Sequence, residues 1–293
     1  MLLADFIRKS SAALERLYPS PEAGGLVSLL CRERLGVKSY THIVEPQFEI
    51  PADGLAVLAG DMRRLCEGEP IQYVLGYAEF LGRRFKVNPA VLIPRPETGQ
   101  LVEEAVRMLH AAGSKPRVLD LCTGSGCIAW SVAFGVPGSE VTAVDISAEA
   151  LGLAETQFSG LPAEVTAPVF VRSDVLSACP EIDGTFDLLV SNPPYVMEKE
   201  KPLMRRNVLD YEPGLALFVP DDDPLLFYRA IATAAKRLLA PSGVGIVETN
   251  EALGPETEEI FRSAGYQETE IIRDFFSKDR FVKFSSSRAD RRP

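Results

Sequence analysis

The sequence predicts an α/β protein: a mostly parallel sheet with helices on both faces, closed by an antiparallel hairpin and preceded by a small helical bundle. Three observations carry this. Beyond residue 91, short apolar runs alternate with helical patterns, as strands buried on both faces require. The last two runs stand too close together for a crossover helix between them, so they should pair antiparallel. Before residue 70, apolar residues recur at helical spacing.

In chain order, Leu3, Phe6, Ile7, Leu14 and Leu17 share one helical face, and Pro19-Ser20-Pro21 punctuates before Leu26, Leu29 and Leu30. A helix starts after Pro51, with Leu55, Leu58, Met62 and Leu65 as its inner face, and ends near Gly68. Between Tyr77 and Val87 the pattern changes to two short strands turning at Gly82-Arg83. These readings divide the chain into a helical domain at 1–75, a hairpin linker at 76–90 and a sheet domain at 91–293. Parallel strands are expected at 117–121, 140–144, 169–172, 186–190 and 244–248. Helices are expected at 128–134, 148–158, 224–239 and 255–263. The closing hairpin is expected at 267–273 and 280–284, with a polar, basic tail at 285–293 that should fray.

The 293 residues suffice for two domains at about 150 residues each. Hydrophobic residues make up 46% and charged residues 25%, the balance of a soluble globular chain. The formal charge of −10 disfavours non-specific binding to nucleic acid, which needs clustered Lys and Arg. Residues 1–90 carry 11 basic and 11 acidic side chains, so the whole acidic excess lies beyond them. The five cysteines, Cys31, Cys66, Cys122, Cys127 and Cys179, are scattered without a C-x-x-C pair. Free thiols in a reducing compartment are therefore expected, with neither a disulfide framework nor a zinc site. No apolar run approaches the roughly 20 residues of a membrane span, and the amino terminus reaches Asp5, Arg8 and Lys9 without a signal core. A cytoplasmic location follows as an expectation.

The run Asp120-Leu121-Cys122-Thr123-Gly124-Ser125-Gly126 follows an apolar strand and opens a helix. Glycines there let the backbone turn sharply and approach a ligand, while the helix start presents unpaired N–H groups. Neither the Gly-Lys-Ser/Thr of a phosphate loop nor the third glycine of the dinucleotide fingerprint is present, so a plain strand-to-helix turn remains an alternative. Asp145 ends the next strand, 19 residues after Gly126, where a carboxylate can accept ribose hydroxyls; this favours an adenosine-type ligand. Asp174 stands where an acid could receive an adenine amine, with Val175 and Leu176 against the ring. Capping a turn is the equal alternative.

Asn192-Pro193-Pro194-Tyr195 directly follows a strand. The prolines fix φ and remove two donors, so a rigid turn presents carbonyls. The Asn192 side-chain oxygen and the Pro193 carbonyl match the two coplanar donors of a planar NH2 group, and Tyr195 would stack on its face. Asn-Pro could merely begin a loop. Its place at the carboxyl end of a central strand, where open sheets bind ligands, favours a site.

These motifs resemble S-adenosylmethionine-dependent methyltransferases of planar amino groups, which share an Asn/Asp-Pro-Pro-Tyr/Phe loop. More closely, the chain resembles the release-factor glutamine methyltransferase family. Leu92-Ile93-Pro94-Arg95-Pro96-Glu97-Thr98 precedes the first loop, and Asp210-Tyr211-Glu212-Pro213 follows the second. The resemblance covers nearly everything from Pro70 onward, and residues 1–69 agree in size and position with the family's substrate-recognition domain. It implies a Rossmann-like seven-stranded methyltransferase sheet. It puts S-adenosylmethionine, leaving as S-adenosylhomocysteine, on Cys122, Thr123, Gly124, Ser125 and Gly126, on Asp145, on Asp174-Val175 and against Asn192. It puts a substrate glutamine on Asn192, Pro193, Pro194 and Tyr195, with Asn192, Pro193 and Tyr195 catalytic and no metal. The implied partner is a bacterial peptide chain release factor, modified at its Gly-Gly-Gln tip, with no direct nucleic-acid or membrane partner.

Two positions depart from the family pattern. Cys122 replaces a glycine and is expected to be tolerated at negative φ. Gly99 stands where an acidic residue is usual, which leaves Arg95 to Thr98 as either part of the site or a proline-started helix cap. Glu248, ending the fifth strand, either lines the pocket or is a strand-end acid.

An amide nitrogen is a poor nucleophile, so positioning should carry the catalysis and no strong base is needed. That suits a chain with two histidines, His42 and His110, both outside the motifs. A rival substrate is a glutamine of a ribosomal protein. An adenine-N6 methyltransferase would want a basic groove, against the charge, and a nucleotide-binding module would have no need of Asn192 to Tyr195.

Overall fold

The computed structural model describes residues 1–110, 115–179 and 181–286. Residues 287–293 of the expected frayed tail lie outside them. Ser285 itself pairs with Glu268 and is buried, so the tail begins later than expected. The chain forms two compact units, Met1–Tyr77 with Arg205–Tyr211, and Ala78–Met204 with Glu212–Pro293.

The first unit holds α1 (Leu3–Leu14), α2 (Ser20–Leu35), α3 (Thr41–Val44), α4 (Ala52–Cys66) and α5 (Ile71–Leu75). Leu3, Phe6, Leu14, Val27, Leu30, Leu58 and Leu65 are buried together, as helical periodicity requires. Leu17 does not join them: α1 stops at Leu14, and Leu17 is about half exposed. Pro21 sits in the first turn of α2, where a missing N–H costs nothing. The Arg34 guanidinium binds Asp61 at 2.7 Å and donates to the Val74 carbonyl at 2.9 Å, joining α2, α4 and α5.

β1 (Tyr77–Phe80) and β2 (Arg83–Lys86) form the expected hairpin. Its turn lies on Leu81-Gly82, with φ of 47° and 73°, rather than on Gly82-Arg83. Two left-handed residues match the twist of a two-residue hairpin, so Arg83 is already strand. Next comes α6 (Pro96–His110), a full helix where the sequence offered only a cap; Leu101, Val102, Ala105 and Leu109 form its buried stripe.

The remaining elements are β3 (Arg117–Leu121), α7 (Cys127–Gly135), β4 (Glu140–Asp145), α8 (Ala148–Glu155), β5 (Val169–Arg172), β6 (Phe186–Ser191), β7 (Val196–Met197), α9 (Arg206–Tyr211), β8 (Phe218–Val219), α10 (Leu226–Leu238), β9 (Leu239–Glu248), α11 (Gly254–Ser263), β10 (Glu268–Arg273) and β11 (Asp279–Ser285). α9 belongs to the first unit. Seven strands form one sheet in the order β10-β11-β9-β6-β3-β4-β5. The five strands β9, β6, β3, β4 and β5 are parallel, and β11 and β10 add antiparallel beyond β9. This is the Rossmann-like methyltransferase sheet.

Successive strand residues alternate between its two faces. Val118, Leu188, Val190 and Ile246 meet α6 and α7, together with Phe80 and Phe85 of the hairpin. Leu119, Leu121, Leu189 and Val247 meet α10 and α11. α8 ends three residues earlier than expected, at Glu155. Leaving the helix lets Phe158 reach Phe85, Phe134 and Trp130, at ring-centroid distances of 5.1, 5.0 and 5.3 Å. Among the described residues no helix is long and apolar enough to cross a membrane.

Candidate active site

The carboxyl ends of β3, β4, β5 and β6 open on one cavity of about 260 Å³. Cys122, Thr123, Ser125, Asp145, Asp174, Val175, Asn192 and Pro194 all line it. Motifs spread over 73 residues of chain thus converge because parallel strands end side by side. Gly124, Gly126, Pro193 and Tyr195, also expected at the site, do not line it.

The first loop is held at several points. The Thr123 N–H donates to the Val144 carbonyl at 3.0 Å, and the Gly126 N–H to the Thr123 carbonyl at 2.9 Å. The Gly124 N–H donates to Asp145 Oδ2 at 2.8 Å. Gly126, at φ 76°, precedes α7, and a Cβ there would stand 3.0 Å from the Ala154 side chain and 3.2 Å from Trp130. Gly124 has φ 54° and nothing within 4 Å of where a Cβ would stand, so its backbone faces open space. Cys122 does not meet the condition of a negative φ: its φ is +62°, in the left-handed region. The turn keeps the backbone path that a glycine adopts freely, and the cysteine follows it at a cost of about 1–2 kcal/mol.

Beneath the loop lies Asp120, fully buried. Its Oδ2 accepts the Thr123 hydroxyl at 2.6 Å and the Ala129 N–H at 3.2 Å, while Oδ1 has no partner among the described residues. Burial pushes its carboxyl up to about 7. Asp145 Oδ1 accepts the Ser147 N–H at 2.9 Å; burial also raises this carboxyl, against the pull of its backbone donors. Asp174 caps a single helical turn, accepting the Leu176 N–H at 2.9 Å and the Ser177 hydroxyl at 3.2 Å. Capping and cavity lining therefore coexist at this residue.

Behind Asn192 is a hydrogen-bonded chain that the sequence did not reveal. Asn192 Nδ2 donates to the Thr98 hydroxyl at 3.1 Å, and that hydroxyl donates to Glu248 Oε2 at 2.9 Å. The Tyr195 hydroxyl donates to Glu248 Oε1 at 2.9 Å. Glu248 is buried beside these donors, and burial raises its carboxyl while Thr98, Tyr195 and the Arg280 charge pull it back. Burial and the Glu248 charge push the Tyr195 phenol far above its ordinary range, which keeps it a donor. Of the two readings of Glu248, the structure gives a third: it stands behind the wall and holds residues that form it.

The Arg95 to Thr98 segment is both helix start and site. Pro96 opens α6, Thr98 joins the chain just described, and Arg95 donates to Glu212 Oε1 at 2.6 Å. Glu212 also accepts the Ile93 N–H at 3.1 Å. Gly99 is closely covered: a Cβ there would meet Leu81 at 3.4 Å. The five cysteines are free thiols, and burial lifts Cys127 up to about 12. Among the described residues no cluster of His, Cys, Asp and Glu is set to hold a metal.

Residues 101–209 match the family model described as the methyltransferase small domain, and residues 5–76 match the PrmC N-terminal domain. The release factor glutamine methyltransferase of Bacteroides thetaiotaomicron is 45% identical over 94% of this chain and 96% of its own length. The chain belongs to the release factor glutamine methyltransferase family. The namesake from Flavobacterium psychrophilum is 35% identical over 97% of this chain and 99% of its own. A crystal structure of a methyltransferase from Pyrococcus furiosus shares the fold, at 15% identity and a TM-score of 0.50, over 78% of this chain and 98% of that one. The protein is an S-adenosylmethionine-dependent methyltransferase. Its cavity suits that cofactor: the loop residues Thr123 and Ser125, a carboxylate at Asp145 and an apolar wall at Val175 meet a mixed polar and apolar nucleoside.

Proposed function

We propose that this enzyme methylates N5 of the glutamine in the Gly-Gly-Gln motif of bacterial peptide chain release factors. The observation that carries the reading is Asn192. It lines the same cavity as Asp145 and Asp174, and its amide nitrogen is already engaged by Thr98. Its oxygen is therefore the atom left for a ligand, and the family supplies the glutamine.

In this reading Cys122, Thr123, Gly124, Ser125 and Gly126, with Asp145, Asp174 and Val175, hold S-adenosylmethionine, which supplies an electrophilic methyl group when bound. Asn192 Oδ1 and the Pro193 carbonyl accept the two N–H donors of the substrate amide. Holding that nitrogen in line with the methyl group replaces a rare encounter by a fixed geometry. The same two acceptors bind more strongly as the nitrogen becomes positive, so they stabilise the transition state more than the substrate. On transfer the S–CH3 bond would break to leave S-adenosylhomocysteine, and the methylated nitrogen would then lose one proton to water. Pro194 stiffens the turn, and Tyr195 closes it from behind.

Residues 1–75 recognise the release factor in this proposal, with 76–90 as a linker and 91–293 as the catalytic domain. The net charge of −10, all of it beyond residue 90, supports a protein substrate over DNA or RNA. No membrane partner is proposed, and the expected location is the cytoplasm, where translation terminates.

The test offers labelled S-adenosylmethionine together with a release factor, ribosomal proteins or DNA, and maps the added methyl group by mass spectrometry. Label on the Gly-Gly-Gln glutamine is expected. Label confined to ribosomal protein or nucleic acid overturns the assignment. Asn192→Ala should abolish transfer while cofactor affinity stays within a few-fold.

A further inference from the structure

A carboxamide can face a ligand with either its oxygen or its NH2, and only the oxygen can receive the donors of another amide. At Asn192 the surroundings decide which. Glu248 is 1% exposed and accepts two hydroxyls, Thr98 on Oε2 and Tyr195 on Oε1, each at 2.9 Å. A carboxylate has no proton to give, so the one proton of the Thr98 hydroxyl is directed to it. Only lone pairs of Thr98 then face Asn192, which must present Nδ2, at 3.1 Å.

We propose that Glu248, acting through the Thr98 hydroxyl, is a positioning residue that fixes the Asn192 carboxamide with its oxygen toward the substrate. This rests on the reading of Asn192 as the acceptor for the substrate amino group. Glu248 stands behind the cavity wall, while Thr98 and Asn192 line it, so Glu248 acts without touching the reacting atoms. Tyr195 completes the device. By occupying Oε1 it leaves Oε2 to Thr98 and holds the carboxylate in one rotamer. The direction of bonding runs one way, from Asn192 to Thr98 to Glu248.

The arrangement explains why the acid is buried in spite of its desolvation cost. A neutral amide of the same shape would give and accept bonds in either sense. In Glu248→Gln, Nε2 can donate to Thr98, whose proton is then free to donate to Asn192. Asn192 then turns its oxygen to Thr98 and its NH2 to the substrate, donor against donor. The unproductive orientation then becomes the major one, and turnover falls by the fraction of enzyme that adopts it.

The test measures kcat, KM and cofactor affinity for Glu248→Gln, Thr98→Val, Thr98→Ser and the double variant Thr98→Val/Glu248→Gln, on the amino substrate that the wild-type enzyme methylates. Glu248→Gln and Thr98→Val should each lower kcat by about tenfold or more, with cofactor affinity unchanged within about threefold. Thr98→Ser keeps the hydroxyl and should rescue turnover to within about threefold of wild type. In the double variant the Glu248→Gln change should cost nothing beyond Thr98→Val, because its route through the Thr98 hydroxyl is gone while the glutamine Oε1 still accepts the Tyr195 hydroxyl. Wild-type kcat in Glu248→Gln overturns the proposal. So does full additivity in the double variant, or Thr98→Ser as damaging as Thr98→Val. Should Glu248→Gln fail to fold, the contrast of Ser with Val at position 98 still decides. A wrong substrate assignment shows in the wild type alone, whereas a wrong relay shows only in the variants.

Discussion

The Gly124 N–H donates to Asp145 Oδ2 at 2.8 Å, so the carboxylate that ends β4 anchors the loop that follows β3. The shape of that loop depends on this side chain, whose two oxygens retain lone pairs after accepting Gly124 and Ser147. Asp145→Ala should weaken S-adenosylmethionine binding by at least about tenfold, since charge-assisted bonds of about 1.5–3 kcal/mol are lost with the loop anchor. Titration calorimetry checks this. Unchanged affinity would separate Asp145 from the cofactor.

Cys122 and Gly126 test the same loop in opposite directions. Cys122 holds φ +62° without being glycine. Cys122→Gly relieves about 1–2 kcal/mol of strain and gives back part of it to unfolded-chain entropy, for a net gain of about 0.5–1 kcal/mol. Cys122→Val, β-branched at positive φ, should lose about 2 kcal/mol or more. At Gly126, φ +76° and the approach of Ala154, Trp130 and Phe170 leave no room, so Gly126→Ala should cost about 1–3 kcal/mol. Urea midpoints rank the set, and equal stability of the Gly and Val variants at 122 would refute the strain.

Asp120 gives the stability an uncommon pH dependence. Its folded value of about 7 lies above the ordinary 3.8, so between these the folded chain binds a proton that the unfolded chain has released. Stability from this group is complete below about pH 4 and is lost as pH rises through about 7. The loss amounts to about 2–4 kcal/mol for the cofactor-free enzyme. Chemical denaturation at about pH 5 and about pH 8 should show the fall, and Asp120→Asn should flatten it. Asp145 and Glu248, also raised, add a smaller slope of the same sign. Stability rising over this range would be the contrary result.

Glu212 is a buried acid held by the Arg95 guanidinium and the Ile93 N–H. Removing Arg95 strands it, so Arg95→Ala should cost about 2–3 kcal/mol, discounted for the partial exposure of Arg95. Arg95→Ala/Glu212→Gln should recover part of that loss, because no uncompensated charge remains. The thermodynamic cycle from urea melts measures the coupling, and an additive double variant would show that the pair contributes nothing.

Much of the architecture was legible in the chain itself. Apolar runs alternating with helical stripes foretold a parallel sheet, because strand and helix periodicities are local properties that survive in sequence order. The spacing of residues 267–284 foretold the edge hairpin, for want of room for a crossover. Helix α6 was missed because its stripe begins at a proline among charged residues, and the turn at Leu81 was missed because a left-handed leucine carries no composition signal. The loop residues, Asp145, Asp174 and Asn192 were each visible as strand-end chemistry.

What sequence alone determined, then, is which elements form and which side chains could serve at their ends. Tertiary structure alone decided the partnerships. Thr98 meets Asn192 across 94 positions and Glu248 across 150, and Arg95 meets Glu212 across 117. Such pairs follow from the order in which strands assemble in the sheet, and no local pattern records that order. The sign of φ at Cys122 was decided likewise, by neighbours on β4 that hold the loop in place. The same assembly directed the Thr98 hydroxyl to Glu248 and the Asn192 Nδ2 to Thr98.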